Sequence, residues 1–142
     1  MIVIDTSVWI SHLVPADAHH TSTNACLNRI SARPQRFSVP AIFLAEVSGV
    51  LARFDTPDAF VFDAVGEIDR SDRFNITPIT LGHAMLAAAI ARMAKIRGSD
   101  AIFVALAVSL EIPLLTWDKQ QRERGARFCR TMTPVEAMEM AE

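Results

Sequence analysis

The chain has only two cysteines, Cys26 and Cys129, far apart and in neither a Cys-x-x-Cys nor a Cys/His ligand spacing. That argues against a structural zinc. The low count suits a reducing cytosol, with a disulfide between the pair left open. Excess charge is lacking too: 14 Lys and Arg against 16 Asp and Glu leave a net charge of -2, so no global field draws the protein to nucleic acid or to a membrane. An anionic substrate stays open, because a metal ion and a local basic patch would supply the positive field. Long apolar runs are also missing. The most apolar stretch, about residues 101 to 115, contains Glu111 and Pro113 and is too short to span a bilayer. The N-terminus lacks the basic-then-apolar order of a signal peptide. No linker, repeat or low-complexity segment breaks the 142 residues.

What is present is a chain that is 51% hydrophobic, which argues against disorder, and 142 residues are enough for one domain over 1–142 with a real core. A soluble, cytoplasmic protein is expected. Residues 2 to 4 read as a short buried strand against Asp5, and Thr6 to Val14 as a helix stopped near Pro15. Asp17 to Ala32 reads as a second helix, and Phe37 to Val39 as a second strand. Pro40 suits the first turn of a helix to about Phe54, and Thr56 caps another helix with Pro57 at its first position. Phe74 to Ile79 alternates as a strand, and Thr80 caps an Ala-rich helix to about Ile96, ended by Arg97-Gly98. A helix from Ser99 or Asp100 to about Leu110, a strand over 112 to 116, a short helix from Asp118 to Gly125, a strand over 128 to 131 and a terminal helix from Thr133-Pro134 complete the pattern. Helices alternating with short apolar strands predict an α/β fold, a parallel sheet wrapped by helices.

Within this pattern four acids sit beside apolar runs, where a charge is unfavourable unless paired, hydrogen-bonded or metal-bound. Asp5 follows Ile2-Val3-Ile4, Glu46 interrupts Ala41-Ile42-Phe43-Leu44-Ala45, Asp100 opens Ala101-Ile102-Phe103-Val104, and Asp118 follows Leu114-Leu115-Thr116-Trp117. Taken singly, Asp5, Asp100 and Asp118 read as helix caps. Glu46 has Ile42, Phe43, Gly49 and Val50 at helical spacing, none of them basic. In parallel sheets ligands bind at the carboxyl ends of strands. Asp5 and Asp118 both lie just past strand ends, so the four predict one cage of oxygen ligands for a hard divalent cation.

These residues carry a resemblance. Ile2-Val3-Ile4-Asp5-Thr6-Ser7, Pro40-Ala41-Ile42-Phe43-Leu44-Ala45-Glu46-Val47, Gly98-Ser99-Asp100-Ala101-Ile102 and Leu114-Leu115-Thr116-Trp117-Asp118 stand in the order and spacing of the PIN-domain nucleases. Within that family the chain is similar to the VapC-type toxins of toxin–antitoxin pairs. The resemblance implies a three-layer fold with a small parallel sheet of four to five strands flanked by helices. It implies an endoribonuclease that hydrolyses RNA with Mg²⁺ or Mn²⁺, with Asp5 and Asp100 as principal metal ligands and Glu46 and Asp118 as the remaining acids. Thr116 matches a hydroxyl position that supports the site. A homodimer and a cognate antitoxin partner are implied as well. The stretch from about 55 to 97 matches least.

Other residues read either way. Arg92, Lys95 and Arg97 precede Asp100, and Lys119, Arg122, Arg124, Arg127 and Arg130 follow Asp118. Together they are candidates to hold phosphates; each alone reads as a solvated face. Trp9 and Trp117 suit core packing more than base stacking, and Ser7 suits either a helix cap or a water-positioning role. His12, His19, His20 and His83 have no ligand spacing. The Met and Ala run at 84 to 94 reads as core or as a packed dimer face. A haloacid-dehalogenase-type phosphohydrolase needs an Asp two residues after the first, where Ser7 stands, and a receiver domain needs an acidic pair that is missing. A PIN fold kept only to bind a partner protein is the remaining alternative.

Overall fold

Aliphatic residues fill the segments at 2–4 and 114–115, which must be buried on both sides, whereas Phe74-Asn75-Ile76-Thr77 alternates and stays partly exposed. The computed structural model describes residues 1–32 and 36–140 and shows how that is achieved. Five parallel strands, β1 (Ile2–Ile4), β2 (Phe37–Pro40), β3 (Phe74–Thr77), β4 (Leu114–Leu115) and β5 (Thr131–Met132), form one sheet in the order β3-β2-β1-β4-β5. Among the described residues eight helices flank it: α1 (Thr6–Leu13), α2 (His20–Ser31), α3 (Ile42–Arg53), α4 (Asp58–Arg70), α5 (Leu81–Ala94), α6 (Gly98–Leu110), α7 (Lys119–Gly125) and α8 (Pro134–Glu139). This is the α/β architecture expected from the alternation of elements.

β1 is the central strand. Val3 pairs with Ser38 of β2 on one side and with Leu114 of β4 on the other. Strand order runs outward from β1 through β2 to β3, then reverses through β4 to β5. The reversal lies between β1 and β4, and the crevice outside the carboxyl ends of those two strands is where such folds bind ligands. α6 is the most buried helix: Ala101, Phe103, Val104, Ala105, Leu106 and Ala107 are all within the core, joined there by Phe37, Phe43 and Ile4. Among the described residues no helix is long and apolar enough to cross a membrane.

Several boundaries differ from expectation, each for a local reason. α2 starts at His20, not Asp17, because Asp17 accepts from the His19 and His20 amides and closes a turn instead. Pro40 belongs to β2, paired with Thr77, and α3 starts after it at Ile42. Thr56 makes no cap; Pro57 precedes the first helical residue of α4. β3 ends at Thr77, ahead of Pro78. α5 ends at Ala94, where Lys95 turns left-handed with φ 54°, and Gly98 opens α6 rather than ending α5. The regular part of β4 is only Leu114–Leu115, since Ile112 N–H still bonds Ala107 in the turn after α6. β5 starts at Thr131 because the Phe128 and Cys129 amides close the end of α7 on Gly125. Thr80 and Thr133 do cap α5 and α8, the latter in a reciprocal capping box with Glu136. Cys26 and Cys129 are both free thiols.

Candidate active site

Asp5 leaves β1 in an extended conformation and caps α1, its side chain accepting from the Ser7 amide. Burial of this carboxylate is nearly complete, and donors surround it. Oδ2 accepts from Ser7 N at 3.0 Å, Ser7 Oγ at 2.5 Å and Thr116 Oγ1 at 3.3 Å; Oδ1 faces Gln121 Nε2 at 3.4 Å. Thr116 and Ser7 knit the two central strand ends together: Thr116 Oγ1 accepts from the Asp118 amide at 3.0 Å and Ser7 Oγ from the Trp117 amide at 3.1 Å. Thr116 is fully buried. Thr116→Val keeps its shape but leaves the Asp118 N–H without its acceptor, and should lower stability by on the order of 1–3 kcal/mol in denaturant unfolding.

Glu46 projects from α3 with its carboxylate half-buried, Oε2 accepting from Thr6 Oγ1 at 3.0 Å. Asp100, in the first turn of α6, is buried and accepts from Arg97 Nε at 2.8 Å. Asp118 caps α7 through Gln121 N at 2.7 Å and reaches Arg97 Nη2 at 3.4 Å through its other oxygen. Asp5, Glu46, Asp100 and Asp118 line one open cleft of about 610 Å³.

Electrostatics follow from that grouping. Burial pushes the Asp5 carboxyl above its ordinary range; the Ser7 donors pull it back, and Asp100 raises it again. Desolvation likewise raises Glu46, opposed by Thr6 and reinforced by Asp5 and Asp100. Asp100 is raised by desolvation first, with Arg97 lowering it and Asp118 raising it. Three acids are therefore held in a state that favours gaining a positive partner.

The expected cage is not preformed. Among the described residues no three Asp, Glu, His or Cys side chains stand in ligating arrangement. Each acid is turned to a protein donor instead: Asp5 to Ser7, Thr116 and Gln121, Glu46 to Thr6, Asp100 and Asp118 to Arg97. The donor set still fits a hard divalent cation, being all oxygen, and a cationic guanidinium already spans two of the acids. Arg97 is largely exposed, at 70% of its side-chain surface, so it is held loosely enough to be displaced.

Of the basic residues flanking the acids, Arg97 lines the cleft, whereas Arg122 pairs with Glu136, Lys119 with Glu123, and Arg127 donates to the Met93 carbonyl. Arg53, from the last turn of α3, also lines the cleft and was not among the candidates. Trp9 packs in the core against Phe74 and Phe37. Trp117 lines the cleft with its ring stacked on His19 at 3.9 Å and its Nε1 donating to Thr23. His19 thus belongs to the cleft wall, whereas His83 donates to or accepts nothing there, its Nε2 lying 2.9 Å from the Ile102 carbonyl oxygen. Met85 and Met93 on α5 are exposed, while Ala87, Ile90 and Ala94 of the same helix are buried. Thr6 and Gln121 are functional neighbours that the sequence hardly marks: Thr6 is signalled only by its place beside Asp5, and Gln121 lies in a polar run that gives no sign of burial.

An all-parallel sheet with an acid-lined cleft at its strand reversal defines an α/β fold with its ligand site at the carboxyl ends of β1 and β4. The chain belongs to the PIN domain family, whose model matches residues 2–126. No curated protein matches it in sequence. Among solved structures it is similar to FitAcB from Neisseria gonorrhoeae, at 22% identity over 94% of this chain and 98% of that one, TM-score 0.73. It is similar to Mycobacterium tuberculosis VapC20, described as a sarcin-ricin loop cleaving toxin, at 21% identity over 88% and 95%, TM-score 0.73. A toxin–antitoxin complex from Klebsiella pneumoniae matches at 20% identity over 94% and 98%, TM-score 0.67.

Proposed function

We propose that the protein is a Mg²⁺- or Mn²⁺-dependent endoribonuclease and the toxin of a toxin–antitoxin pair. The observation that carries this reading is the convergence of Asp5, Glu46, Asp100 and Asp118 on one cleft at the β1/β4 reversal, with three of their carboxyls raised by burial. Asp5 and Asp100 would hold the cation, with Glu46 and Asp118 completing its surroundings directly or through water. When bound, the cation activates the attacking water and offsets charge developing on the phosphoryl oxygens. Ser7 and Thr116 fix the orientation of Asp5, Thr6 that of Glu46, and Arg97, once released from Asp100 and Asp118, is placed to hold a substrate phosphate. Membership of the PIN family and the likeness to toxin structures support the assignment. A homodimer and a small antitoxin protein complete the reading, with the exposed Met85 and Met93 face of α5 offered as the dimer contact.

The test is cleavage of RNA by the purified protein. It should cut RNA with Mn²⁺ or Mg²⁺ and stop on addition of a chelator. A protein that cuts no RNA with either ion, yet binds a small partner protein tightly, would instead be a PIN fold retained for binding.

A further inference from the structure

Gln121 is completely buried in α7, in the middle of the polar run Lys119-Gln120-Gln121-Arg122-Glu123. Its Nε2 lies 3.4 Å from Asp5 Oδ1 and 3.2 Å from the backbone carbonyl oxygen of Asp100. Two acceptors on that side determine which end of the amide faces the acids. The other end, Oε1, is left buried with no hydrogen-bond partner. An unpaired buried acceptor is unfavourable. An unbranched apolar side chain of the same length would remove that penalty but would leave Asp5 Oδ1 and the Asp100 carbonyl without this donor.

The contacts indicate what it does there. Asp5 Oδ2 is occupied by three donors, two from Ser7 and one from Thr116. Oδ1 is the oxygen with capacity left over, and Gln121 is the donor it faces. The same amide nitrogen grips the first turn of α6 at the residue that supplies the second acid. Gly125 stands one turn further along the same buried face of α7. A Cβ there would lie 3.1 Å from Val104 Cγ2 on α6 and 3.4 Å from Thr131 Cγ2, so glycine permits the close approach that brings Gln121 within reach of both partners.

We propose that Gln121 is a positioning residue, whose single amide completes the orientation that Ser7 and Thr116 give the Asp5 carboxylate and ties its Oδ1 to the first turn of α6 at Asp100 for the incoming divalent cation. The proposal rests on the reading that Asp5 and Asp100 hold that cation. Outer groups that orient ligands in this way typically change metal affinity by about 10–100-fold when removed.

Mn²⁺ binding to the full chain, followed by the electron paramagnetic resonance signal of free Mn²⁺, tests it alongside the thermal midpoint of the metal-free protein. Gln121→Met keeps the length and volume but has no donor. It removes the orphaned Oε1 but also the donor to Asp5 Oδ1 and the Asp100 carbonyl, two opposed effects, so the metal-free protein should stay folded with its midpoint little changed while Mn²⁺ binding weakens by about tenfold. Gln121→Asn keeps the amide but withdraws it by one methylene, and should also weaken binding. Mn²⁺ affinity within about twofold of wild type in both folded variants would overturn the proposal, and so would loss of the fold in both, which would make Gln121 a folding residue. If wild type itself binds no Mn²⁺, the cation reading of Asp5 and Asp100 falls first and takes this one with it.

Discussion

Asp5→Asn and Asp100→Asn should each reduce RNA cleavage by about three orders of magnitude while leaving the protein folded. A metal's contribution to stabilising charge in such a transition state is several kcal/mol, and each 1.36 kcal/mol is about tenfold in rate. Both substitutions preserve shape and remove the charge that a cation requires. At position 5 the Asn side chain still offers an oxygen to the Ser7 amide, so the cap on α1 survives. Asn at position 5 relieves the burial that raises the Asp5 carboxyl but turns its NH2 toward the Gln121 Nε2 donor, so the metal-free midpoint should change little while activity falls. Cleavage within about tenfold of wild type in both variants would sink the assignment of these two acids.

A second large effect joins metal and pH. Asp5, Asp100 and Glu46 are all raised above their ordinary values, with desolvation the largest cause in each. Their folded forms bind protons more tightly than the unfolded chain does. The stability they contribute is therefore fully present below the unfolded pKa and is lost as pH rises through the raised folded values. Metal-free protein should accordingly gain stability on acidification from neutral pH through the range of these raised carboxyls. Glu136 acts the other way, because the Thr133 amide lowers it, and its contribution is lost on further acidification. At neutral pH, Mn²⁺ at a hundred times its Kd should add about 2.7 kcal/mol. That gain should shrink at acid pH, where protons compete for the same oxygens. Thermal midpoints against pH, with and without Mn²⁺, decide it: no Mn²⁺ shift, together with a metal-free protein that only loses stability on acidification, would contradict the electrostatic account of the cleft.

The fold was legible because the strands are short, apolar and separated by helices long enough to cross over, so a parallel sheet was the economical solution. Strand order and the position of the reversal were not legible: they depend on which strand β4 pairs with, and Val3 opposite Leu114 leaves no local mark in either segment. The acids stood out because a carboxylate next to Ile2-Val3-Ile4 or Ala101-Ile102-Phe103 conflicts with its surroundings. Of their hydrogen-bond partners, Ser7 and Thr116 stood out and two others did not. Thr6 and Gln121 are ordinary polar residues whose role comes only from distant contacts, Thr6 with Glu46 and Gln121 with Asp5. Arg97 was legible as a basic residue near Asp100, but its second partner, Asp118, lies on another element and is brought near by the α6–α7 packing. The boundaries that shifted did so where backbone amides satisfied themselves in turns, as at Asp17 and after Gly125, which residue preferences alone do not resolve.

The order of strands also bears on when the cleft comes into being during synthesis. β1 precedes β4 by most of the domain yet is flanked by it on one side, and the four acids enter in the order Asp5, Glu46, Asp100, Asp118. A chain still on the ribosome and lacking residues beyond about 115 has neither the neighbour that orients β1 on that side nor the Asp118 carboxylate. The cleft lined by all four acids is thus complete only once Asp118, the last of them in chain order, has joined the fold beside β1.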